Sequence, residues 1–194
     1  MSQIGVPASG IDQDLAIERL LLREDSDMFL HVVPKKSQTP VKGEGRSVGD
    51  WETPMPILGW RWAEGQGSGR GTAGSSVTDL QVADLAIVKR IDAGSPVLGK
   101  LCASGEPLSL VAIKCMKTGS VVKGQPQWDY LQLQCEDAFI RTFQIFTSSM
   151  LGQPVEVIGV SMQRLKLVYA RQLESGGRGA EVSFALDVPA RKPI

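Results

Sequence analysis

The strongest constraint on the fold of this chain is an alternation of apolar and polar residues with a period of two. Within residues 128–135, Leu131, Leu133 and Cys135 alternate with polar side chains. The same alternation recurs in three later segments, 140–146, 155–169 and 181–188. Because successive side chains of a strand point to opposite faces, these segments are predicted to be β-strands with one buried and one wetted face.

Three further segments extend the β pattern. Residues 108–116 are apolar at both alternating sets of positions, which predicts a strand packed on both sides. Residues 28–33 form a short apolar run, and residues 56–63 place Trp60 and Trp62 on one face. Between them, residues 35–54 contain three glycines and two prolines and are predicted to be a long loop, a kind of segment that is usually functional or mobile.

The region around residue 90 contains one ambiguous segment and one helix. The apolar residues of 77–91 fit either a helical stripe or a strand, and the Val, Thr and Ile content slightly favours a strand. A helix is predicted over 95–103, with Ser95 as N-cap, Pro96 at the first helical position and Gly105 past the end. Seven or eight strands and one short helix predict a mainly β protein, either a barrel or a sandwich.

The first 26 residues differ in character from the rest. Residues 11–22 carry apolar side chains at spacings of three and four, which predicts a short amphipathic helix in an N-terminal extension. We expect this helix to dock on the body of the protein or on a neighbouring copy, with a channel plug or a regulatory cap as alternatives. The β domain is then expected to span 27–194.

Charge and cysteine content exclude several classes of protein. The 21 Lys and Arg residues balance 21 Asp and Glu residues, so no broad basic surface for nucleic acid or for an anionic membrane is expected. No apolar run reaches the roughly 18 residues of a membrane span, and the start lacks the basic and apolar regions of a secretory signal. The three cysteines, Cys102, Cys115 and Cys135, form no Cys-x-x-Cys motif and are expected to be reduced and buried.

The residues that could support chemistry do not form a recognisable catalytic set. Gly69–Gly74 reads as G-x-G-x-x-G, but it lies in a longer glycine tract with no helix after it and is expected to be a flexible loop. His31 is the one histidine and is expected in a barrel wall or core. Catalytic, cofactor-binding and metal-ligating residues are therefore predicted to be absent. The tryptophans leave one alternative open, a monomeric barrel or sandwich that binds a small ligand or a carbohydrate.

Residues 80–119 carry a pattern that points to a known family. Its centre is Lys89-x-x-Asp92-x-x-Ser95-Pro96, followed by 102–105 and 110–119. Further marks in the same order are Gly43-Glu44, Gly59-Trp60-Arg61-Trp62, Trp128-Asp129-Tyr130-Leu131 and Val182-Ser183-Phe184. This ordered set, which spans 27–188, resembles the haemolysin-coregulated protein (Hcp) family, the tube protein of bacterial type VI secretion.

The resemblance implies both a fold and a function. The fold is a two-sheet β-barrel with one short flanking helix, in which 77–91 is a strand. The function is structural and not enzymatic: hexameric rings stack into an inner tube, are exported with the spike and carry effector cargo in the lumen. The implied partners are further copies of the chain, spike and sheath proteins and effectors, without nucleic acid, membrane insertion or cofactors. The implied location is the bacterial cytoplasm, followed by secretion without a cleaved signal peptide.

Two sets of residues are candidates for this assembly. The candidates for the ring or stacking interface are Gly43, Glu44, Trp60, Trp62, Asp92, Ser95 and Pro96. The candidates for the wetted channel surface are Gln132, Gln134, Arg164 and Lys166, which occupy outward positions of alternating strands.

Overall fold

The computed structural model describes residues 27–70, 76–117, 128–149, 151–174 and 177–194. The chain forms twelve described strands and one described helix. The strands are β1 (Met28–Pro34), β2 (Met55–Pro56), β3 (Gly59–Arg61), β4 (Glu64–Arg70), β5 (Ser76–Val82), β6 (Leu85–Arg90), β7 (Leu108–Met116), β8 (Asp129–Thr147), β9 (Pro154–Ser161), β10 (Arg164–Gln172), β11 (Arg178–Asp187) and β12 (Lys192–Pro193), and the helix is α1 (Ser95–Ser104). The predicted helix at 11–22 and the N-terminal extension lie outside the described residues.

Two antiparallel sheets share the long strand β8. The first sheet has the order β12-β11-β10-β8-β7-β1-β2, and the second has the order β3-β6-β9-β8. The first part of β8 pairs with β7 and β10, and the part from Phe139 onward pairs with β9. The change of sheet coincides with a positive φ of 46° at Asp137 and a register shift between Ile140 and Thr142. Such irregularities bend a strand and let it turn a corner.

The opposite corner is formed by the segment that contains β2 and β3. Its first half pairs with β1, and the amide of Ile57 donates to the carbonyl of Met28. Its second half pairs with β6, and the amide of Leu58 donates to the carbonyl of Val88. Two very short ladders therefore connect the sheets at this corner. The predicted two-sheet barrel with a flanking helix is confirmed in outline, as a loosely closed pair of sheets.

The main core lies between the two sheets. Its centre contains Leu30, Ile87, Ile113, Leu133 and Ile158, each at most 1% exposed. Helix α1 adds Leu98 and Leu101 to this core. Gly99 permits the close approach of the helix, because a Cβ there would lie 3.2 Å from the ring of Phe143 in β8. Strand β7 is buried on both faces, as its sequence predicts.

The ambiguous segment 77–91 is extended, as the family resemblance implies, but it forms two strands. β5 and β6 are separated at Ala83, whose amide donates to the carbonyl of Ala63. β4 and β5 pair with each other as a separate ladder. Gly69 and Arg70 therefore lie at the end of β4, so the prediction of a loop is wrong for these two residues, and the other four residues of the Gly69–Gly74 motif lie outside the described residues.

The helix boundary is also corrected. Gly94 is the N-cap and Ser95 is the first helical residue, so the predicted N-cap at Ser95 is wrong by one position. The Ser95 hydroxyl is buried and accepts a hydrogen bond from the backbone amide of Asp92 at 3.0 Å. The predicted end is confirmed, because Gly105 adopts the left-handed conformation with φ of 62°.

Candidate functional site

A buried lysine cluster lies beside the N-terminus of α1. Lys89 of β6 and Glu156 of β9 are direct cross-strand partners, both 0% exposed, with their charged atoms 2.8 Å apart. The Lys89 ammonium also donates to Asp92 Oδ1 at 2.9 Å and to Ser95 Oγ at 3.2 Å. Because every one of these groups is removed from water, the ion pairs are needed to compensate for the desolvation of the charges.

The long loop at 35–54 joins this cluster. The Glu44 carboxylate accepts a hydrogen bond from the amide of Ala93 at 3.2 Å. Gly43 lies against Met55, and a Cβ there would approach Met55 Cα to 2.7 Å. Four of the predicted interface residues, Gly43, Glu44, Asp92 and Ser95, are therefore brought together in space.

The predicted interface residues differ in exposure. Ser95 is buried at 3% exposure, the Asp92 side chain at 7%, and Gly43 is half-buried. Glu44 and Pro96 are exposed. Trp60 and Trp62 are half-buried and pack against the main core. The set thus combines internal packing residues with only two side chains that extend into solvent.

The predicted channel residues share one polar face of the first sheet. Gln134 of β8 and Lys166 of β10 are cross-strand partners, and Gln132 occupies the same face two residues away. Arg164 is opposite Glu136, and their charged atoms are 3.2 Å apart. This face points away from the core, because Leu133, Cys135 and Leu165 occupy the alternate positions and are buried.

A second lysine cluster, on the same outer face, was not predicted from the sequence. Lys114 of β7 contacts Asp50 of the loop at 2.6 Å, and its ammonium lies 4.2 Å from the ring centre of Trp51. The Trp51 ring stacks on His31 of β1, with centroids 4.7 Å apart and an interplanar angle of 9°. The loop is thereby held across β1 and β7, where Trp51 is 5% exposed.

The pKa values of Asp50 and His31 in this cluster are both lowered, but for different reasons. The hydrogen bond from Lys114 lowers the pKa of Asp50 below its ordinary value. Burial lowers the pKa of His31, an effect opposed by the charge of Asp50 and reinforced by that of Lys114. The sequence placed His31 in a barrel wall, but it gave no signal that the loop would cover it with an aromatic ring.

On the inner face of the first sheet, a row of apolar side chains runs from the buried core into solvent; we call it the apolar row. In β10 and β11 the row begins with Leu165 and Leu186, both 1% exposed, and ends with the partners Tyr169 and Val182, which are 49% and 72% exposed. The neighbouring edge of β11 is covered by β12 only at Leu186 and Asp187, within the part of the chain that the structure describes. The strand alternation predicted which side chains share the inner face, but not where along the strands that face becomes exposed to solvent.

The two buried cysteines, Cys115 and Cys135, are not activated thiols. Burial raises the pKa of Cys135 to about 12 and also raises the pKa of Cys115, so neither thiol is poised to ionise near neutrality. Among the described residues, no group of His, Cys, Asp or Glu could hold a metal ion, and no helix could span a membrane. Three of the described tryptophans do not form an exposed platform for a carbohydrate, because Trp51 is covered and Trp60 and Trp62 pack against the main core.

The comparison with protein families decides the assignment. The family model described as "Type VI secretion system effector, Hcp" matches residues 32–169, which is most of the chain. The chain belongs to the Hcp family. It is thus a type VI secretion tube protein, as the pattern around Lys89 and Ser95 implied. No curated protein sequence matches the chain.

Solved structures with the Hcp fold are similar over nearly their whole length. Hcp1 from Salmonella typhimurium is 21% identical, with 87% of this chain and 99% of that chain covered and a TM-score of 0.62. A type VI secretion system effector from Yersinia pestis is 21% identical, with 83% and 99% covered and a TM-score of 0.60. A structure described as a type six secretion system protein is 15% identical, with 86% and 99% covered and a TM-score of 0.69. These likenesses establish a shared fold.

Proposed function

We propose that this Hcp protein assembles into hexameric rings that stack into the inner tube of a type VI secretion system. The rings are exported with the spike, driven by the sheath, and carry effector proteins in their lumen. The protein acts as a structural component and not as an enzyme, and it passes from the bacterial cytoplasm to the outside. Family membership, which covers residues 32–169, is the observation that carries this proposal.

The exposed apolar row supports self-association. Tyr169 and Val182 continue the core surface of the first sheet into solvent, where burial of apolar area is favourable. In a ring, each copy offers a different surface to its two neighbours, so one end of the row can be covered by the next copy. We therefore assign the row and the adjoining edge of β11 to the contact between neighbouring copies.

The remaining candidates fit the other surfaces of a tube. Glu44 and Pro96 lie on the exposed side of the buried Lys89 cluster and are proposed to contact the next ring, while Gly43, Asp92 and Ser95 support them from inside. Trp60 and Trp62 stay in this proposed interface as half-buried residues. The face with Gln132, Gln134, Arg164 and Lys166 is proposed to line the lumen.

Light scattering on the purified protein tests the proposal. The expected particle has six times the 20.9 kDa mass of the chain, and negative-stain images are expected to show annuli with a central hole. Val182→Asp places a charge in the apolar row, and it is expected to shift the particle to single chains with an unchanged circular dichroism spectrum.

A matched control lies one residue along the same strand. Ser183→Asp adds the same charge on the opposite, exposed face of β11, and it is expected to leave the hexamer intact. A wild-type protein that stays monomeric at high concentration would contradict the assembly. Equal loss of assembly in both variants would contradict the assignment of the contact to the apolar row.

A further inference from the structure

The contact between the long loop (35–54) and the first sheet contains the one histidine of the chain. His31 is half-buried on β1, and Trp51 of the loop stacks on it at 4.7 Å. The ammonium group of Lys114 also lies over the Trp51 ring, 4.2 Å from its centre. Any charge gained by His31 therefore appears inside the contact that holds the loop on the sheet.

We propose that His31 makes the seating of the 35–54 loop sensitive to pH, with the loop held at neutral pH and released when His31 takes up a proton. Histidine is the side chain whose ordinary pKa allows a charge change between pH 5 and 8. The chain contains a single histidine, so one imidazole accounts for this response.

The groups around His31 decide the direction of the effect. Two charged groups face His31, Lys114 from β7 and Asp50 from the loop. The ion pair of Arg46 and Asp27 lies further away, beside Phe29, which is the next residue of β1 on the same face. From β8, the side chain on this face is the neutral Gln134. Burial and Lys114 oppose the charged imidazole, and Asp50 favours it. The opposing effects dominate, because the pKa of His31 is lowered from its ordinary 6.5.

Linkage then gives the sign. A base whose pKa is lowered in the seated state binds its proton more readily in the unseated state, so seating weakens as the pH falls through 6.5 and below. Each unit by which seating lowers the pKa raises the unseated population by up to about tenfold at acid pH. The loop also contains Gly43 and Glu44, which are proposed to lie at the contact between rings. An effect of pH on ring stacking therefore rests on the proposed function, whereas the effect of His31 protonation on the loop does not.

Two measurements on the full chain test the coupling. In an NMR titration the single imidazole is expected to titrate below pH 6.5. In hydrogen exchange the loop amides are expected to lose protection between pH 7.5 and 5.5, by several-fold after correction for intrinsic exchange. These amides, with their acceptors, are Gly43 to Thr53, Gly45 to Pro54, Val48 to Trp51 and Trp51 to Val48.

The variant His31→Phe keeps an aromatic ring under Trp51 but cannot titrate. Its loop amides are expected to keep the same protection at both pH values, and the buried amides of β7 act as an internal reference in both proteins. An imidazole that titrates at or above pH 6.5 would overturn the proposal even if the variant did not fold. A loop that loses protection equally in wild type and variant would also overturn it. Both measurements report on the loop in any oligomeric state, so a failure of ring assembly is detected separately by light scattering.

Discussion

Two buried lysines, Lys89 and Lys114, occupy contrasting environments. Lys89 lies on the inner face of the second sheet, and its partners Glu156 and Asp92 are 0% and 7% exposed. Lys114 lies on the outer face of the first sheet, and its partner Asp50 is 81% exposed. The Lys89 ammonium donates to four protein oxygens, whereas the Lys114 ammonium contacts an aromatic ring and a mostly exposed carboxylate.

This difference separates a folding determinant from a reversible contact. The charges around Lys89 cannot be solvated by water unless the protein opens, so in the folded chain they depend on one another to compensate for the lost hydration. Asp50 keeps most of its hydration, so its ion pair with Lys114 is exchanged for water at small cost. The long loop contacts both sites, through Glu44 near Lys89 and through Trp51 over Lys114.

The largest effect is expected from Lys89→Met. This change leaves the Glu156 carboxylate buried without its cation, and removal of one partner of a buried pair costs about 3–5 kcal/mol of unfolding free energy. Urea denaturation followed by circular dichroism measures the loss. The double variant Lys89→Met with Glu156→Leu removes the two fully buried charges and is expected to recover part of the loss, because the Asp92 carboxylate still lacks its cation. A single variant within about 1 kcal/mol of wild type would show that the cluster contributes little.

An intermediate effect is expected from Gly43→Ala. The new Cβ would lie 2.5 Å from Met55 Cγ and 2.7 Å from Met55 Cα, and backbone at that distance cannot move aside easily. Overpacking of this kind costs about 1–3 kcal/mol. The thermal midpoint of unfolding is expected to fall, while Gly65→Ala, where a Cβ meets nothing within 4 Å, serves as a control with a smaller change. Equal effects at both glycines would contradict the packing role assigned to Gly43.

The smallest effect is expected from Asp50→Asn. The carboxylate is mostly exposed, so loss of its ion pair with Lys114 is expected to cost less than about 1 kcal/mol near neutral pH. Because the folded pKa of Asp50 is lowered from 3.8, its contribution is fully present above that value and disappears as the pH falls through the folded pKa. Urea midpoints of wild type and variant are therefore expected to converge at acid pH. A difference that grew on acidification would contradict this sign.

Much of the fold follows from local pattern. The alternation at 128–135 and the doubly apolar run at 108–116 predicted β8 and β7, since the period of a strand is visible in sequence. The turn between β9 and β10 was missed, because 155–169 alternates through it and Met162 and Gln163 are not turn formers. That turn is fixed by distant contacts, with the amide of Gln163 bonded to Glu136 and its carbonyl accepting from Val188.

The candidate sites were predicted less completely. The spacing from Lys89 to Ser95 marked one cluster, but its most important partner, Glu156, lies 67 residues away and carries no local signal. Likewise, His31, Trp51 and Lys114 are far apart in sequence and meet only through strand pairing and the path of the loop. Contacts between distant segments depend on which strands pair and at which positions, whereas the alternation specifies only the face on which a side chain lies.

The long strand β8 also limits how this chain can change in length. Its nineteen residues are divided between the two sheets. The register of β8 in the first sheet therefore also determines its register in the second. One inserted codon on either side of the bend would exchange the inward and outward side chains of β8 between the insertion and the end of that part of the strand. Natural length variation should therefore accumulate in the connections outside β8, while the strand keeps a constant number of residues.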